Sequence, residues 1–141
     1  MILLDTNVVS EVIRPSPFAK VRTWLAAQPG DSLFICATTE AELRYGVAIL
    51  PLGRRRSVLE ADVERMLTTV FAGRILPFDS AAAADFAKIA SARRGAGRPI
   101  QIPDAQIAAI ARSRGASLAT RNVADFEGTG IAVINPWTTG A

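Results

Sequence analysis

The sequence contains no histidine, and this absence excludes several kinds of catalytic site. Serine and cysteine triads of the usual kind need an imidazole base, and many zinc and non-haem iron sites use histidine ligands. Catalysis in this chain therefore has to rely on other side chains. The thirteen Asp and Glu residues are the main candidates that remain.

Cysteine is almost absent as well, since Cys36 is the only one and has no partner for a disulfide. It lies in the apolar run 33–36, which indicates a small buried residue and a reducing compartment. No run approaches the roughly 18 uncharged apolar residues of a membrane-spanning helix, and the N-terminus lacks a basic region followed by an apolar stretch. We therefore expect a soluble, cytoplasmic protein that does not associate with a membrane.

Lysine is also scarce, because fourteen of the sixteen basic residues are arginine. The net charge is +3 and the pI is about 9.7. Arginine binds phosphate oxygens through paired hydrogen bonds, so this composition favours an anionic partner such as nucleic acid. The alternative is that genomic base composition alone enriches arginine over lysine.

Short apolar runs alternate with amphipathic segments along a chain that is long enough for one domain over residues 1–141. The apolar runs predict β-strands at 1–4, 33–36, 75–76, 117–119 and 131–134. Helical spacing predicts helices at 8–13, 17–28, 40–50, 54–71, 80–94 and 105–114. Ser16 is the expected N-cap of the second helix, and Thr38 with Thr39 the expected cap of the third. This alternation is typical of an α/β fold, a three-layer α/β/α sandwich around a mostly parallel central sheet.

Acidic residues are placed along this scheme so that they can meet at one edge of the sheet. Asp5 follows the first strand, Glu42 lies in the first turn of the helix after the second, Asp104 opens a late helix, and Asp125 follows the fourth strand. Ligands of open α/β sheets bind at that carboxyl edge. Clustered carboxylates need a cation or shared protons, which with oxygen ligands indicates Mg²⁺ or Mn²⁺ and phosphodiester hydrolysis. Four polar side chains can orient ligands or water, namely Thr6, Asn7, Thr120 and Asn122.

Each acid also has a purely structural interpretation. Asp5 fits a helix N-cap, Glu42 fits the last position of a capping box, Asp104 is favourable near a helix N-terminus, and Asp125 fits a turn. Four unrelated caps have no reason to converge, whereas the ligands of one metal do. Two more glutamates lie near the same edge and can replace or assist Glu42, namely Glu11 and Glu40.

The motifs around these acids resemble those of PIN-domain ribonucleases, in particular VapC-type toxins of the FitB-like subgroup. The resemblance covers nearly the whole chain and is carried by residues 3–11, 42–46, 51–55, 103–108 and 120–126. It implies that Asp5, Glu42, Asp104 and Asp125 form an acidic metal site, assisted by Thr120 or Asn122. It further implies a Mg²⁺- or Mn²⁺-dependent endoribonuclease for single-stranded RNA, inhibited by a cognate antitoxin, and a homodimer.

Two other classes of acidic-site protein fit the sequence less well. A non-catalytic acidic-pocket or phosphoacceptor module of receiver type needs another acid near the first strand and a lysine that reaches the pocket, but Lys20 and Lys88 lie in predicted helices. A haloacid-dehalogenase-like phosphatase needs aspartate two positions after Asp5, where Asn7 stands. The non-catalytic module is kept as the alternative to the nuclease.

Large apolar side chains beyond those that one small core needs indicate a partner surface. We expect the antitoxin to dock on the segments that carry Trp24, Tyr45, Val47, Leu50 and Leu52. Segments 54–71 and 78–94 are candidates for the two-fold contact of a homodimer.

Crowded carboxylates also predict how the metal-free protein responds to pH. Some of them should have raised pKa values in the folded state, so that stability falls as pH rises. We therefore expect both Asp5→Asn and Asp104→Asn to raise the melting temperature without metal. Helix caps predict the opposite sign, because loss of a capping charge costs up to about 1 kcal/mol.

Overall fold

A five-stranded parallel sheet forms the centre of the protein in the computed structural model, which describes residues 1–139. The strands are β1 (Ile2–Leu4), β2 (Leu33–Cys36), β3 (Ile75–Leu76), β4 (Ser117–Ala119) and β5 (Val133–Ile134). The helices are α1 (Thr6–Ile13), α2 (Ala19–Ala26), α3 (Ala37–Ala48), α4 (Arg54–Arg65), α5 (Ser80–Gly95) and α6 (Ile102–Ser113). The last two residues of the domain expected over 1–141 lie outside the described residues.

The two faces of the sheet are covered by separate groups of helices. Leu3 packs in an apolar cluster with α5 and α6, and its neighbour Leu4 packs in a second cluster with α1, α2, α3 and α4. Successive residues of a strand point to opposite faces, so β1 contributes to both clusters. This arrangement confirms the predicted three-layer α/β/α sandwich.

The strand order β3-β2-β1-β4-β5 places a topological switch at β1. The chain winds outward from β1 to β3 on one side and then crosses to β4 on the other side. The backbone N–H of Asp5 donates to the carbonyl of Ala119 at 2.9 Å, which joins the ends of β1 and β4. Open α/β sheets bind their ligands in the crevice at such a switch point.

The start of α2 differs from the prediction. Ser16 and Pro17 do not begin the helix, which starts at Ala19 with Phe18 as its N-cap. The backbone N–H of Phe18 donates to Glu11 Oε2 at 3.2 Å. A buried carboxylate from α1 therefore serves the helix start, a role that the local sequence assigns to Ser16.

The start of α3 also corrects the prediction. The helix begins at Ala37, directly after β2, so Thr38 and Thr39 lie inside it and do not cap it. Glu42 consequently lies in the second helical turn and not in the first. This position removes the capping-box interpretation of Glu42.

Two further boundaries differ in length. The predicted helix 54–71 is α-helical only to Arg65 and continues as a π-helical turn over Met66–Val70. Strand β5 has two residues where four were expected. Over residues 1–139, no helix combines the length and the apolar character needed to cross a bilayer.

Candidate active site

Asp5 lies at the switch point and serves two purposes. Its Oδ1 accepts the backbone N–H of Thr6 at 2.7 Å, so Asp5 is the N-cap of α1. Its Oδ2 accepts the Thr120 hydroxyl at 2.7 Å and the Asn7 amide at 3.4 Å. Burial raises the pKa of this carboxyl, hydrogen bonds from Thr120 and Thr6 lower it, and the charges of Glu42 and Asp125 raise it further. The capping interpretation and the site interpretation of Asp5 are therefore compatible.

Thr120 holds Asp5 from the end of β4. Its hydroxyl oxygen accepts the Asn7 amide at 3.3 Å and the backbone N–H of Asn122 at 3.1 Å, which directs its single proton to Asp5. The side-chain oxygen of Asn7 accepts the backbone N–H of Arg121 at 3.3 Å. This network ties the loop after β4 to the start of α1.

Glu42 reaches the same cleft from α3. Its Oε1 accepts the Thr6 hydroxyl at 2.8 Å, and the hydroxyls of Thr6 and buried Thr39 lie 3.1 Å apart. Glu40 lies elsewhere, with its carboxylate 3.0 Å from the guanidinium of Arg44. Of the two glutamates that compete in the sequence, Glu42 is the one that lines the cleft.

Asp104 completes the group from the first turn of α6, where it is half-buried. Burial, followed by the charges of Asp5, Asp125 and Glu42, raises the pKa of Asp104 to about 6, while the charge of Arg93 lowers it. The charges of the other three acids thus all act on this carboxyl group. The four predicted acids therefore interact electrostatically across one region of the molecule.

Asp125 lies at the rim of the cleft and not among the residues that line it. It belongs to an exposed 3₁₀ turn, Val123–Phe126, that is fastened to α5 by the buried side chain of Arg93. The Arg93 guanidinium donates to the carbonyl oxygens of Asp125 at 2.9 Å, of Glu127 at 3.0 Å and of Arg98 at 2.7 Å. Nothing in the sequence distinguishes Arg93 from a solvent-facing arginine near a helix end, so its role was not predicted.

The cleft has a volume of about 460 Å³. Glu11 also lines it, with its carboxylate 3.3 Å from the guanidinium of Arg14. Neither lysine lines the cleft as described over residues 1–139, although a receiver-type pocket requires one. The sequence interpretation missed four residues that line the cleft, namely Ser10, Arg14, Arg121 and Trp137. For Arg121 and Trp137, the available signal was their position just after β4 and β5.

The cleft offers carboxylate oxygens, which are the ligands that hard divalent cations prefer. Within residues 1–139, no three acidic or cysteine side chains are placed to hold one ion by themselves. Mg²⁺ usually takes only one or two protein carboxylates and completes its shell with water and substrate phosphate. Partial coordination of this kind uses only one or two of the three carboxylates that the cleft offers, which are Asp5, Glu42 and Asp104.

A second, apolar groove of about 700 Å³ adjoins the cleft between α1, α3 and α4. Four residues line both the groove and the cleft, namely Thr6, Ser10, Arg14 and Glu42. The rest of the groove is mainly apolar with basic residues, including Ile13, Leu43, Leu50, Arg54, Arg55, Val58, Leu59 and Val63. A molecule that fills the groove therefore borders the acidic cleft.

The residues expected to form the partner surface divide into two groups. Leu50 lines the groove, and Tyr45 and Leu52 are exposed. Trp24 and Val47 were wrongly assigned to the surface, because both are buried in the cluster that covers one face of the sheet. Their helical spacing reflects core packing and not a free face.

A doubly wound parallel sheet with an acidic cleft at its switch point defines the class of this protein as an α/β domain with a carboxylate site. The PIN domain family model matches residues 2–130, and the chain belongs to that family. It is 44% identical over 137 residues to Toxin FitB of Neisseria gonorrhoeae, covering 97% of this chain and 99% of that protein. It is 40% identical to VapC ribonuclease Y4jK of Sinorhizobium fredii, covering 97% and 98%.

Its fold also matches a solved structure over nearly all of both chains. The crystal structure of FitAcB from Neisseria gonorrhoeae superposes with a TM-score of 0.92 at 43% identity, covering 99% of this chain and 100% of that chain. The predicted resemblance to PIN-domain toxins of the FitB-like VapC type is thereby confirmed.

Proposed function

We propose that this protein is the toxin of a toxin–antitoxin pair and acts as a Mg²⁺- or Mn²⁺-dependent endoribonuclease that hydrolyses phosphodiester bonds of RNA. The observation that carries the proposal is the convergence of Asp5, Glu42 and Asp104 in one cleft at the switch point. The raised pKa of Asp104 is in part an effect of the charges of the other acids. Relatives that match nearly the whole chain are named a toxin and a ribonuclease. The proposed place of action is the cytoplasm, where RNA is available.

The residues of the cleft have distinct tasks in this proposal. A bound Mg²⁺ or Mn²⁺ would lower the pKa of an attacking water and stabilise the charge on the leaving oxygen. Asp5 is a ligand of fixed orientation, because Thr120 and the backbone of Thr6 hold its two oxygens. Glu42 is held in the same way by the Thr6 hydroxyl. Asp104, whose pKa is raised to about 6, would be stabilised in its ionised form by the cation, which would offset the charges of its neighbours.

The test is cleavage of single-stranded RNA by the purified protein with Mg²⁺ or Mn²⁺. Glu42→Gln should reduce the rate by about 100-fold or more, because loss of a ligand should exceed the 10–100-fold effect of residues that only orient ligands. Glu40→Gln is the matched control, since Glu40 pairs with Arg44 away from the cleft, and it should cleave normally. Cleavage that persists in excess EDTA, or equal rates for the two variants, would contradict the metal-dependent mechanism. Absence of cleavage by the folded wild-type protein would favour a non-catalytic acidic-pocket module.

We also propose that the apolar groove is the docking site of the cognate antitoxin. Because the groove shares Thr6, Ser10, Arg14 and Glu42 with the cleft, a segment bound there blocks access of RNA to the acids. The groove fits an antitoxin segment that turns apolar side chains toward α4 and acidic side chains toward the arginines of the groove.

Val58 offers a test of this docking that does not disturb folding, because it lines the groove and is 53% exposed. Val58→Asp should weaken antitoxin binding by about tenfold or more in calorimetry while RNA cleavage persists. Leu52→Asp is the control, since Leu52 is 88% exposed and does not line the groove. An affinity of Val58→Asp equal to that of the wild-type protein would remove the groove from the interface.

We further propose a homodimer. Tyr45 and Phe78 are exposed beside Pro103 on an apolar surface between α3 and the start of α6, and Phe78 begins one of the two segments expected to supply the two-fold contact. Burial of this surface against a second copy removes exposed aromatic area from water. The molar mass from light scattering at micromolar concentration should be twice that of the chain, and a monomer mass would count against the dimer.

A further inference from the structure

Arg121 and Trp137 form a cation–π pair on the wall of the cleft. The guanidinium carbon of Arg121 lies 5.1 Å from the centre of the Trp137 ring. Both residues line the acidic cleft together with Asp5, Glu42 and Asp104. They come from neighbouring strands, since Arg121 follows β4 and Trp137 follows β5, so both leave the sheet at its carboxyl edge.

The pair is fixed from behind and open toward the cleft. The backbone of Arg121 is held by the side-chain oxygen of Asn7 at 3.3 Å, and the backbone N–H of Trp137 donates to Asn135 Oδ1 at 2.9 Å. Trp137 is partly buried against the apolar cluster, whereas Arg121 is exposed. The Trp137 ring therefore lies on one side of the Arg121 guanidinium, and the exposed side is available to a ligand.

Charge alone does not account for the position of Arg121. The cleft is rich in carboxylates, yet no carboxylate in residues 1–139 lies within 4.0 Å of the Arg121 guanidinium. Arg14, on the same cleft, does pair with Glu11. The charge of Arg121 is thus not paired with a carboxylate in the described residues, and its guanidinium is held over an aromatic ring.

We propose that Arg121, backed by Trp137, is a stacking platform for one unpaired base of an RNA strand whose phosphodiester lies at the acids. This inference rests on the proposed function, because it takes RNA as the substrate. Unpaired bases stack on arginine planes and aromatic rings, and this contact tolerates any base. Arg121 contacts the base in this arrangement, and Trp137 is a positioning residue that holds the guanidinium plane. A base inside a duplex is already stacked and cannot use the platform, so the pair selects single-stranded RNA.

The first test separates stacking from charge. Arg121→Lys keeps the positive charge and loses the plane, and Trp137→Leu removes the ring that orients the plane. Each should lower kcat/KM on a mixed-sequence single-stranded RNA by about tenfold, mainly through KM, as expected for loss of one base stack. Arg94→Lys on α5 is the matched control and should leave kcat/KM unchanged, because Arg94 does not line the cleft.

A set of RNA strands with one abasic nucleotide each makes this test specific. Wild-type protein should lose about tenfold in kcat/KM when the abasic position is the one that stacks, and Arg121→Lys should show no further loss on that strand. A structural defect would lower activity on every strand alike. Equal sensitivity of wild type and Arg121→Lys to the abasic series would overturn the platform while leaving the nuclease in place.

A binding measurement tests the platform even if the protein does not cleave RNA. The chain has two tryptophans, so Trp24→Phe leaves Trp137 as the sole reporter. A single-stranded RNA should change the Trp137 emission in a saturable way, and adding Arg121→Lys should weaken this binding about tenfold. Such binding without cleavage would support the platform and refute the proposed function. If RNA causes no change in the emission of the folded Trp24→Phe protein, the platform is overturned.

Discussion

Asp104→Asn is expected to raise the melting temperature of the metal-free protein at pH 7 by about 3–6 °C. The folded protein has to ionise Asp104 in a partly buried place beside three acids. Burial, followed by the charges of Asp5, Asp125 and Glu42, raises its pKa from 3.8 to about 6. For a half-buried group that water still screens, this shift corresponds to about 1–2 kcal/mol of lost stability. The asparagine carries no charge and avoids that loss.

The pH dependence gives the sign of this effect independently. Because the folded pKa lies above the unfolded one, the folded protein binds more protons between these two values, and stability falls as pH rises from about 4 to about 6. The gain from Asp104→Asn should therefore be full at pH 7 and vanish near pH 4. Thermal melts of the wild type and of Asp104→Asn across this pH range test this expectation. A variant that is less stable at every pH would show that Asp104 acts only through the helix dipole.

Metal binding should reverse the loss of stability that the ionised Asp104 causes in the wild-type protein. A cation at a hundredfold excess over its dissociation constant stabilises the folded state by about 2.7 kcal/mol. Asp104→Asn should show a smaller stabilisation by Mg²⁺ or Mn²⁺, since it removes one oxygen ligand and one negative charge. An unchanged metal response would contradict a role for Asp104 in binding the ion.

Asp5→Asn is expected to have the opposite effect and to lower the melting temperature by about 3–6 °C. Thr120 already accepts two hydrogen bonds and can only donate to Asp5 Oδ2. The backbone N–H of Thr6 donates to the other oxygen, Oδ1, so an asparagine in either orientation turns its NH₂ toward one of two donors. A buried unsatisfied group of this kind costs about 1–3 kcal/mol. This cost outweighs the relief of charge repulsion, so the earlier expectation that both substitutions stabilise the protein is revised for Asp5.

A double-mutant cycle with Thr120→Val tests the cause. Valine removes the hydroxyl, so the asparagine can turn its NH₂ to that side and keep its oxygen on the backbone N–H of Thr6. The double variant should therefore be more stable than the sum of the single effects by about 1 kcal/mol or more. Additive effects, or a stabilised Asp5→Asn protein, would show that charge repulsion dominates at this position. Circular dichroism melts without metal at pH 7 measure all four proteins under one condition.

The elements of the fold were largely predictable, because burial on both faces makes a parallel strand a short continuous apolar run. Leu33 to Cys36 is such a run and was placed with its correct boundaries. The start of α2 was not predictable, because it depends on the carboxylate of Glu11 reaching Phe18 from another helix. Local capping rules favour Ser16 and carry no information about such a distant acceptor.

The candidate site was predictable in its acids and less so in its other parts. The positions of Asp5 and Asp104 next to a strand end and a helix start follow from sequence patterns. The choice between Glu40 and Glu42 needed the register of α3, which turns Glu40 toward Arg44. The pairing of Arg121 with Trp137 depends on the adjacency of β4 and β5, which no local pattern encodes.

Two of the three hydrogen bonds from Arg93 fasten the rim of the cleft, since they reach the carbonyl oxygens of Asp125 and Glu127. A surface turn usually opens at little cost in free energy, independently of the core. The turn that carries Asp125 is instead bonded to a buried guanidinium on α5, the helix that covers one face of the sheet with α6. We therefore expect the turn to be less mobile than a free surface turn. The amides of Asp125 and Glu127, which donate to backbone carbonyls, should exchange more slowly when Arg93 is present than in Arg93→Ala. Access to the acids then depends on what occupies the neighbouring groove, and not on the opening of a loop.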